Sequence, residues 1–369
     1  MTEPRALVTG ATGLVGSAVA RHLLAQKHPV RVFVRDPERA RALFGWRVEI
    51  AAGDLRDPES LRRACAGMND VYHVAGAVDI HRHADAEMWE TNVEGTRRVI
   101  EAARDAGVSR LVYTSSVSVY GDRLPIGLAE DAPLNPAGIY GASKVEAERL
   151  VRDAAAGGLR ATIIRPCIVY GPGDRYFIPE AARVMRLPAL PLPDGGRHLV
   201  DVVHADDLAA AHRLVMEAGQ SGEAYNVTDG GCYRAGELLR WIAEVLGRSL
   251  WFPSIPWRCA IVMRPLINLL GRLWERPDLA RLGMQELNGL FSDYHFEISK
   301  IAALGYAPRI SARTGLRSEL QAVRRRGAVH ESVLGPSKDP AYRDPAYRVP
   351  AYGQDDREKI GSSENRVGE

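Results

Sequence analysis

Residues 5–16, with the sequence RALVTGATGLVG, constrain the fold of this chain more than any other segment. Ala6 to Val8 form a short apolar run suited to a buried parallel strand, and the apolar periodicity from Leu14 to Leu24 is that of a helix. The intervening glycines permit a tight turn, a close approach of backbone to a phosphate, and packing of the helix on the strand. Because a helix N-terminus offers free N–H groups and a positive dipole end, the segment predicts a dinucleotide site.

Strands and helices alternate through the first half of the chain. Strands are expected at residues 29–35, 48–52, 71–76 and 110–116, and helices from residue 58 and over residues 89–106. This alternation is typical of a doubly wound parallel sheet, so we expect an α/β fold of the Rossmann type.

Arg35 ends the second predicted strand, about 20 positions after the glycines, where a dinucleotide fold meets the adenosine ribose. Arg39 and Arg41 follow closely, and a guanidinium can bind a 2′-phosphate through two hydrogen bonds. An acidic residue here would instead favour NAD, and Asp36 is adjacent. The sequence therefore favours NADP(H) and leaves NAD(H) open.

The composition excludes several other classes of protein. A net charge of +2 argues against a dedicated nucleic-acid binder. The first residues lead directly into a strand without the pattern of a signal peptide, and no uncharged run is long enough for a transmembrane helix. His81 and His83 lack a third ligand, so no metal site is expected. The scattered cysteines Cys65, Cys167, Cys232 and Cys259 indicate neither zinc nor disulfides, so a cytoplasmic location is expected.

Tyr140 and Lys144 are four residues apart, and no helix breaker follows as far as Arg152, so both should lie on one face of a helix. A phenol has a reference pKa of about 10, which makes it a poor acid–base group near neutrality. A neighbouring ammonium group should favour the phenolate and lower that pKa. The pair is therefore suited to moving a proton to or from a carbinol oxygen.

Several motifs stand in the order of one known family. They are TGATGLVG at residues 9–16, GDL at 53–55, NVEGT at 92–96, YTSS at 113–116, YGASK at 140–144 and RPCIVYGP at 165–172. With them the chain resembles the extended short-chain dehydrogenase/reductases, also called the NAD-dependent epimerase/dehydratase-like family, up to about residue 306. Within that family it is most similar to the dihydroflavonol reductase and 3β-hydroxysteroid dehydrogenase-like branch.

The resemblance implies roles for individual residues. Ser116 would hydrogen-bond the substrate oxygen, with Ser115 as the alternative, and Lys144 would also bind the nicotinamide ribose. The implied catalytic residues are thus Ser116, Tyr140 and Lys144. The expected cofactor contacts are Thr9, Gly10, Thr12, Gly13, Leu14, Val15, Gly16, Arg35, Asp54, Leu55, Val74, Ala75, Gly76, Tyr140, Lys144, Pro166 and Ile168.

Three regions are expected along the chain. Residues 1–165 form the dinucleotide-binding core, to which some later segments return. Residues 166–328 form a smaller, mostly helical substrate lobe, with a closing strand near residues 291–300 and a last helix at residues 311–326. Residues 331–369 contain a repeated Pro-Ala-Tyr sequence, and their prolines and charges predict a disordered tail.

Two departures from the family pattern bear on the substrate. Relatives that act on nucleotide sugars commonly carry Asn where this chain has Ile168, and Arg where it has Val200. Apolar replacements would leave the sugar diphosphate unpaired, which is costly. The aromatic, apolar residues 250–257 and 259–274 are interpreted as core, as an apolar substrate wall or as a membrane-surface patch. We expect Trp251 and Trp257 to border the substrate cleft.

The leading hypothesis is an NADPH-preferring ketone reductase, or the reverse secondary-alcohol dehydrogenase, for an apolar or semi-polar small molecule such as a steroid, terpenoid or polyketide-like ketone. One alternative is a nucleotide-sugar epimerase or dehydratase with bound NAD. Another is a non-catalytic NADP-binding sensor protein, against which the intact Tyr140, Lys144 and Ser116 argue. A homodimer through the helices around Trp89 and Tyr140 is implied by the resemblance alone.

Overall fold

The computed structural model describes residues 4–78, 85–122, 124–185, 189–249, 251–256, 258–259 and 293–334. The two loop histidines, Trp257, most of the apolar residues 259–274 and the Pro-Ala-Tyr repeats lie outside these ranges. Within them, no helix combines the length and the hydropathy that a bilayer crossing needs. The same ranges contain no cluster of three residues able to ligate a metal ion.

A parallel sheet of seven strands forms the centre of the described structure, in the order β11-β6-β5-β4-β1-β2-β3. Its strands are β1 Ala6–Thr9, β2 Val30–Val34, β3 Glu49–Ala52, β4 Asp70–His73, β5 Arg110–Thr114, β6 Arg160–Pro166 and β11 Ala224–Val227. The expected Rossmann-type α/β fold is confirmed. Strand order reverses beside β1, and cofactors bind at the carboxyl ends of the strands on either side of such a point.

Helices cover both faces of the sheet. Those in the first half of the chain are α1 Leu14–Ala25, α2 Pro37–Phe44, α3 Pro58–Cys65, α4 Asp85–Trp89, α5 Gly95–Asp105 and α6 Gly138–Ala156, and α8 Ala205–Ala218 follows. Apolar side chains of α1, α2 and α8 fill the core on one face, and those of α3, α5 and α6 fill the core on the other. Burial on both faces explains why the central strands are continuously apolar.

A second set of elements builds a separate apolar core after residue 166. The strands pair two by two as β7–β10, β9–β12 and β8–β13. These elements are β7 Ile168–Tyr170, α7 Phe177–Val184, β8 Leu192–Pro193, β9 Leu199–Val200, β10 Val202–His204, β12 Tyr233–Arg234, α9 Ala235–Val245, β13 Ser254–Ile255 and α11 Ala312–Leu334. The short helix α10, Ser299–Ala302, instead packs Ile301 into the core of the main sheet.

Two buried carboxylates, Asp201 before β10 and Asp207 in α8, fasten the chain that follows residue 293. Asp201 Oδ2 accepts a hydrogen bond from Phe296 N at 2.8 Å. Asp207 Oδ2 accepts from Arg309 N at 3.0 Å and from Ile310 N at 2.8 Å. These backbone N–H groups offset part of the cost of burial, although burial still raises the pKa of Asp201 to about 6.

Several predicted element boundaries were wrong. β4 ends at His73 because the Thr9 hydroxyl accepts from the next two backbone N–H groups. The helix predicted at residues 89–106 begins at Asp85 and contains a π-helical turn, Glu90–Glu94. Of the strand predicted near residues 291–300, the described residues 293–300 contribute isolated bridges and the start of α10. The last helix, predicted at residues 311–326, is α11 and continues to Leu334.

His73 should make folding stability sensitive to acid. Its ring is fully buried between the hydroxyls of Thr9 (2.8 Å) and Thr96 (3.0 Å). Burial lowers its pKa from 6.5 to about 3. Because the unfolded chain takes up a proton below pH 6.5 and the folded chain does not, the free energy of unfolding should fall by about 1.4 kcal/mol per pH unit between pH 6 and pH 4 from this group alone. His73→Gln should show a shallower slope in urea unfolding across that range, and parallel slopes would contradict this assignment.

Candidate active site

The glycine-rich turn joins β1 to α1 at the carboxyl edge of the sheet. Gly10 has φ +68°, and a Cβ there would lie 2.8 Å from the Ala75 backbone, so a side chain is excluded. Gly13 N donates to Gly10 O at 2.9 Å and caps α1 without a side-chain hydrogen bond. A Cβ on Gly13 would meet only Gly10 O, at 3.3 Å. Leu14 and Val15, in the first turn of α1, are partly exposed, whereas Gly16 is buried and a Cβ there would collide with Gly10 O.

The wall opposite this turn is built after β4. Thr9 is fully buried, and its hydroxyl accepts from Val74 N and Ala75 N, both at 3.1 Å. Its side chain thus supports the wall rather than facing the turn. A Cβ on Gly76 would lie 3.3 Å from Lys144 Nζ, so the missing side chain leaves room beside the lysine.

Charged side chains surround the end of β2. Arg35 is exposed there, whereas the neighbouring Asp36 carboxylate accepts from Arg39 N and caps α2. Arg39 reaches back to the glycine turn and donates to Thr12 O at 3.0 Å. Asp54 binds Arg56 through both carboxylate oxygens, and these hydrogen bonds lower its pKa. The predicted contact Leu55 is largely buried, with its side chain in the core below α5.

The three predicted catalytic side chains meet where α6 passes the end of β5. Tyr140 and Lys144 lie one helical turn apart on α6, and Ser116 follows β5 at the start of a 3₁₀ turn, Val117–Tyr120. The Ser116 hydroxyl lies close enough to the Tyr140 phenol to lower its pKa, and it accepts from Ser118 N at 3.1 Å. Lys144 Nζ donates to Thr114 O at 2.8 Å and lies 5.9 Å from the Tyr140 ring centroid.

The pKa of Tyr140 is higher than the sequence suggested. Burial raises it to about 12, although the Ser116 hydroxyl acts in the opposite direction. The expectation of a lowered pKa was wrong, because burial outweighs the charge of Lys144, whose ammonium group is directed at a backbone carbonyl. Burial also lowers the pKa of Lys144 to about 8, against the opposing charge of Glu148. At neutral pH the site therefore holds a protonated phenol beside a protonated lysine.

Ser115 is directed into the interior and not towards Tyr140. Its Oγ donates to the buried Glu148 carboxylate at 2.6 Å, which assigns it to the interior. Pro166 ends β6 and Ile168 begins β7, with the buried Cys167 between them donating its N–H to Val227 O at 3.2 Å. Ile168 remains partly exposed.

Asn92 is a site residue that sequence reasoning placed in a motif without giving it a role. Its Oδ1 accepts from Ala77 N at 2.7 Å, and its Nδ2 donates to Ala77 O at 2.9 Å and to Ser143 Oγ at 3.0 Å. It therefore ties the wall after β4 to the catalytic helix, from within the π-helical turn. A polar, weak helix former inside an otherwise good helix was the available signal.

Comparison with known proteins assigns the family. The model of the NAD dependent epimerase/dehydratase family matches residues 6–228, which is more than half of the chain. The chain belongs to this family. Proteins named as hydroxysteroid dehydrogenases and dihydroflavonol reductases are among the matches, which confirms the branch expected from the motifs. The protein is thus an NAD(P)-dependent enzyme of the short-chain dehydrogenase/reductase type.

Several individual proteins are similar to this chain over nearly the whole of their own length. The 4-hydroxy-2-methyl-3-oxo-4-farnesyl-3,4-dihydroquinoline-1-oxide ketoreductase of Stigmatella aurantiaca is 30% identical, over 86% of this chain and 96% of its own. The 2-alkyl-3-oxoalkanoate reductase of Stenotrophomonas maltophilia is 30% identical, over 84% and 97%. The crystal structure of the dTDP-glucose 4,6-dehydratase DesIV from Streptomyces venezuelae, with NAD bound, is 27% identical over 88% and 98%, with a TM-score of 0.70.

The glycine turn separates folding from cofactor binding in a testable way. Gly10→Ala forces a side chain into a left-handed backbone against Ala75, so it should lower the free energy of unfolding by about 1–3 kcal/mol. Gly13→Ala needs only a small shift of Gly10 O, so it should fold with near-wild-type stability yet weaken dinucleotide binding at least tenfold. Urea unfolding and cofactor fluorescence titration measure the two effects. Unchanged affinity in Gly13→Ala would remove this turn from the cofactor site.

Proposed function

We propose that this enzyme reduces a ketone, or oxidises the corresponding secondary alcohol, on an apolar or semi-polar small molecule, with NADP(H) preferred over NAD(H). The observation that carries the proposal is the proximity of the Ser116 hydroxyl to a partly buried, protonated Tyr140 beside Lys144. These groups can bind a carbonyl oxygen and give it a proton, and a sensor protein would need none of them.

In the proposed reaction the cofactor carries the hydride, and side chains of the protein bind the substrate oxygen and transfer the proton. Bound nicotinamide supplies or accepts the hydride at the carbinol carbon. In the reductive direction, Ser116 hydrogen-bonds the substrate oxygen and Tyr140 transfers its phenolic proton to that oxygen as the carbon gains the hydride. The phenolate is then reprotonated from solvent, with the charge of Lys144 stabilising it meanwhile. The same lysine is proposed to hold the nicotinamide ribose, in the space that Gly76 leaves beside its Nζ.

The substrate is proposed to be apolar because this chain has Ile168 and Val200 at the two positions where nucleotide-sugar relatives commonly carry Asn and Arg. Ile168 offers no hydrogen bond, and Val200 is buried, with its backbone bridged to Tyr294. Val78 and Tyr176 are half exposed apolar groups, and Tyr176 lies near enough to Tyr140 to affect its pKa. The ketoreductase and oxoalkanoate reductase similar to this chain have substrates of this kind in their names.

Some predicted features remain part of the proposal. Trp251 is 70% exposed, and its carbonyl accepts from Leu190 N at 2.9 Å, so its place at the cleft stays a prediction. The boundaries of the three regions, a homodimer, a peripheral membrane contact through residues 250–274 and a cytoplasmic location also stay predictions. The nucleotide-sugar alternative is represented by the dehydratase fold relative.

Replacing Tyr140 tests the reaction. NADPH oxidation would be measured against apolar cyclic ketones and, separately, against nucleotide-linked 4-keto sugars. Tyr140→Phe should lower kcat about 100-fold or more on the accepted ketone, because proton transfer is lost. Tyr176→Phe is the matched control, since it removes a neighbouring phenol, and it should change kcat only a few-fold. Turnover confined to the sugars would overturn the proposed substrate class, and near-wild-type turnover by Tyr140→Phe would overturn its role.

Arg35 tests the cofactor preference. Because a charged hydrogen bond to a phosphate contributes about 1.5–3 kcal/mol, Arg35→Ser should weaken NADPH binding roughly 10- to 100-fold and leave NADH binding unchanged. Arg41→Ser is the control, because that guanidinium stacks on Trp46, 3.8 Å from the ring centroid, and donates to Gly45 O. If Arg35→Ser weakened the binding of NADPH and NADH equally, Arg35 at the end of β2 would not bind a 2′-phosphate.

A further inference from the structure

Three consecutive residues at the end of β5 are each held by a different turn of α6. Lys144 Nζ donates to Thr114 O at 2.8 Å, and Ser115 Oγ donates to Glu148 Oε1 at 2.6 Å. The third residue, Ser116, lies beside Tyr140 and affects its pKa. The three side chains of α6 that reach this strand end, Tyr140, Lys144 and Glu148, are spaced four residues apart and therefore lie on one face of the helix. Neither the proposed reaction nor the proposed cofactor binding uses Glu148.

Glu148 is a fully buried carboxylate with four hydrogen-bond donors. Besides Ser115, it accepts from Arg165 Nε at 2.8 Å and Nη2 at 2.7 Å, and from Arg152 Nη2 at 2.9 Å. Burial alone would raise its pKa, but the hydrogen bonds and charge of Arg165 hold that pKa below the usual range. Glu148 is therefore ionised at neutral pH, directly behind the lysine of the site.

The other groups around Lys144 carry no charge at neutral pH. His73 on β4 has a pKa of about 3, and burial raises the pKa values of Tyr113 on β5 and of Tyr140 on α6. The Tyr113 ring lies 5.0 Å from Lys144 Nζ. Glu148 is the carboxylate that opposes the desolvation of this ammonium group. The negative charge of Glu148, one helical turn from Lys144, thus favours the protonated form of the buried lysine.

We propose that Glu148 is a positioning residue for the reaction, which holds the end of β5 so that Ser116 meets Tyr140 and keeps Lys144 in its charged form. Its effect on turnover rests on the proposed function, whereas its effect on Lys144 does not. Ser115 transmits the positional part of this role, because its hydroxyl is the link between the carboxylate and the strand end.

Glu148→Gln separates the charge of this residue from its shape. Without the carboxylate, the alkaline limb of the kcat/KM profile, where Lys144 loses its proton, should move to lower pH by about one unit. Arg152→Gln removes the partly exposed cation from the same carboxylate and should not move that limb downwards. An equal downward movement in both variants, or none in Glu148→Gln, would overturn the electrostatic part of the proposal.

Ser115→Ala tests the positional part and leaves every charge in place. Its kcat should fall about tenfold with KM and the alkaline limb unchanged, because the strand end loses one of its three ties to α6. Unaltered kcat in a folded Ser115→Ala protein would overturn the role of this contact. The same variant keeps the proposal testable if Glu148→Gln fails to fold.

A measurement without substrate distinguishes this proposal from the proposed reaction. The affinity for NADPH is measured by fluorescence between pH 6 and pH 10 in wild type, Glu148→Gln and Lys144→Met. Wild type should lose affinity as Lys144 deprotonates, Glu148→Gln should lose it at lower pH, and Lys144→Met should show no such step. If no ketone is reduced but the three NADPH-affinity curves differ as expected, only the proposed reaction is contradicted. Coincident curves for wild type and Glu148→Gln overturn the inference alone.

Discussion

Where β5, β6 and α6 meet, Arg165 and Glu148 are paired through two hydrogen bonds in the interior, with neither side chain more than 1% exposed. Burying two charges is costly unless each remaining donor and acceptor is satisfied. Here Arg165 Nη1 also donates to Tyr120 Oη at 2.7 Å and to Glu130 O at 3.1 Å, and Tyr120 Oη donates to Asn226 Oδ1 at 2.8 Å. The pair therefore joins the catalytic helix to β6, to β11 and to the loop before α6.

That network also explains why the active site can be both buried and polar. Asn226 Nδ2 donates to Leu128 O at 3.2 Å, and Asn226 N donates to Glu130 Oε1 at 2.8 Å, so the loop over the site is held by the sheet. The ends of β5 and α6 thus have little freedom to separate. Networks of this kind are costly when half satisfied and rigid when complete, which suits a site that must align a serine, a phenol and a lysine.

Local signals made the sheet and the glycine turn predictable, whereas long-range contacts decided the rest. The apolar runs of β1, β2 and β5 and the turn at Gly10 depend on neighbouring residues, so the sequence alone indicated them. The end of β4 depends on Thr9, which is distant in the sequence, and Arg165 stands in an apolar run without revealing its partner. The pKa of Tyr140 was misjudged for the same reason. The i, i+4 spacing placed Lys144 correctly, but only the packed structure shows how strongly burial acts on the phenol.

The burial of Tyr140 bears on the direction of catalysis. A phenol with a pKa of about 12 is almost wholly protonated at neutral pH, so it is ready to give a proton to the oxygen of a ketone as that carbon is reduced. Alcohol oxidation needs the Tyr140 phenolate. Burial opposes its formation, and the charge of Lys144 assists it. Because Lys144 loses that charge as pH rises through about 8, few molecules carry a phenolate and a charged lysine at the same pH. The electrostatics of these residues thus agree with the proposed ketone reduction near neutral pH.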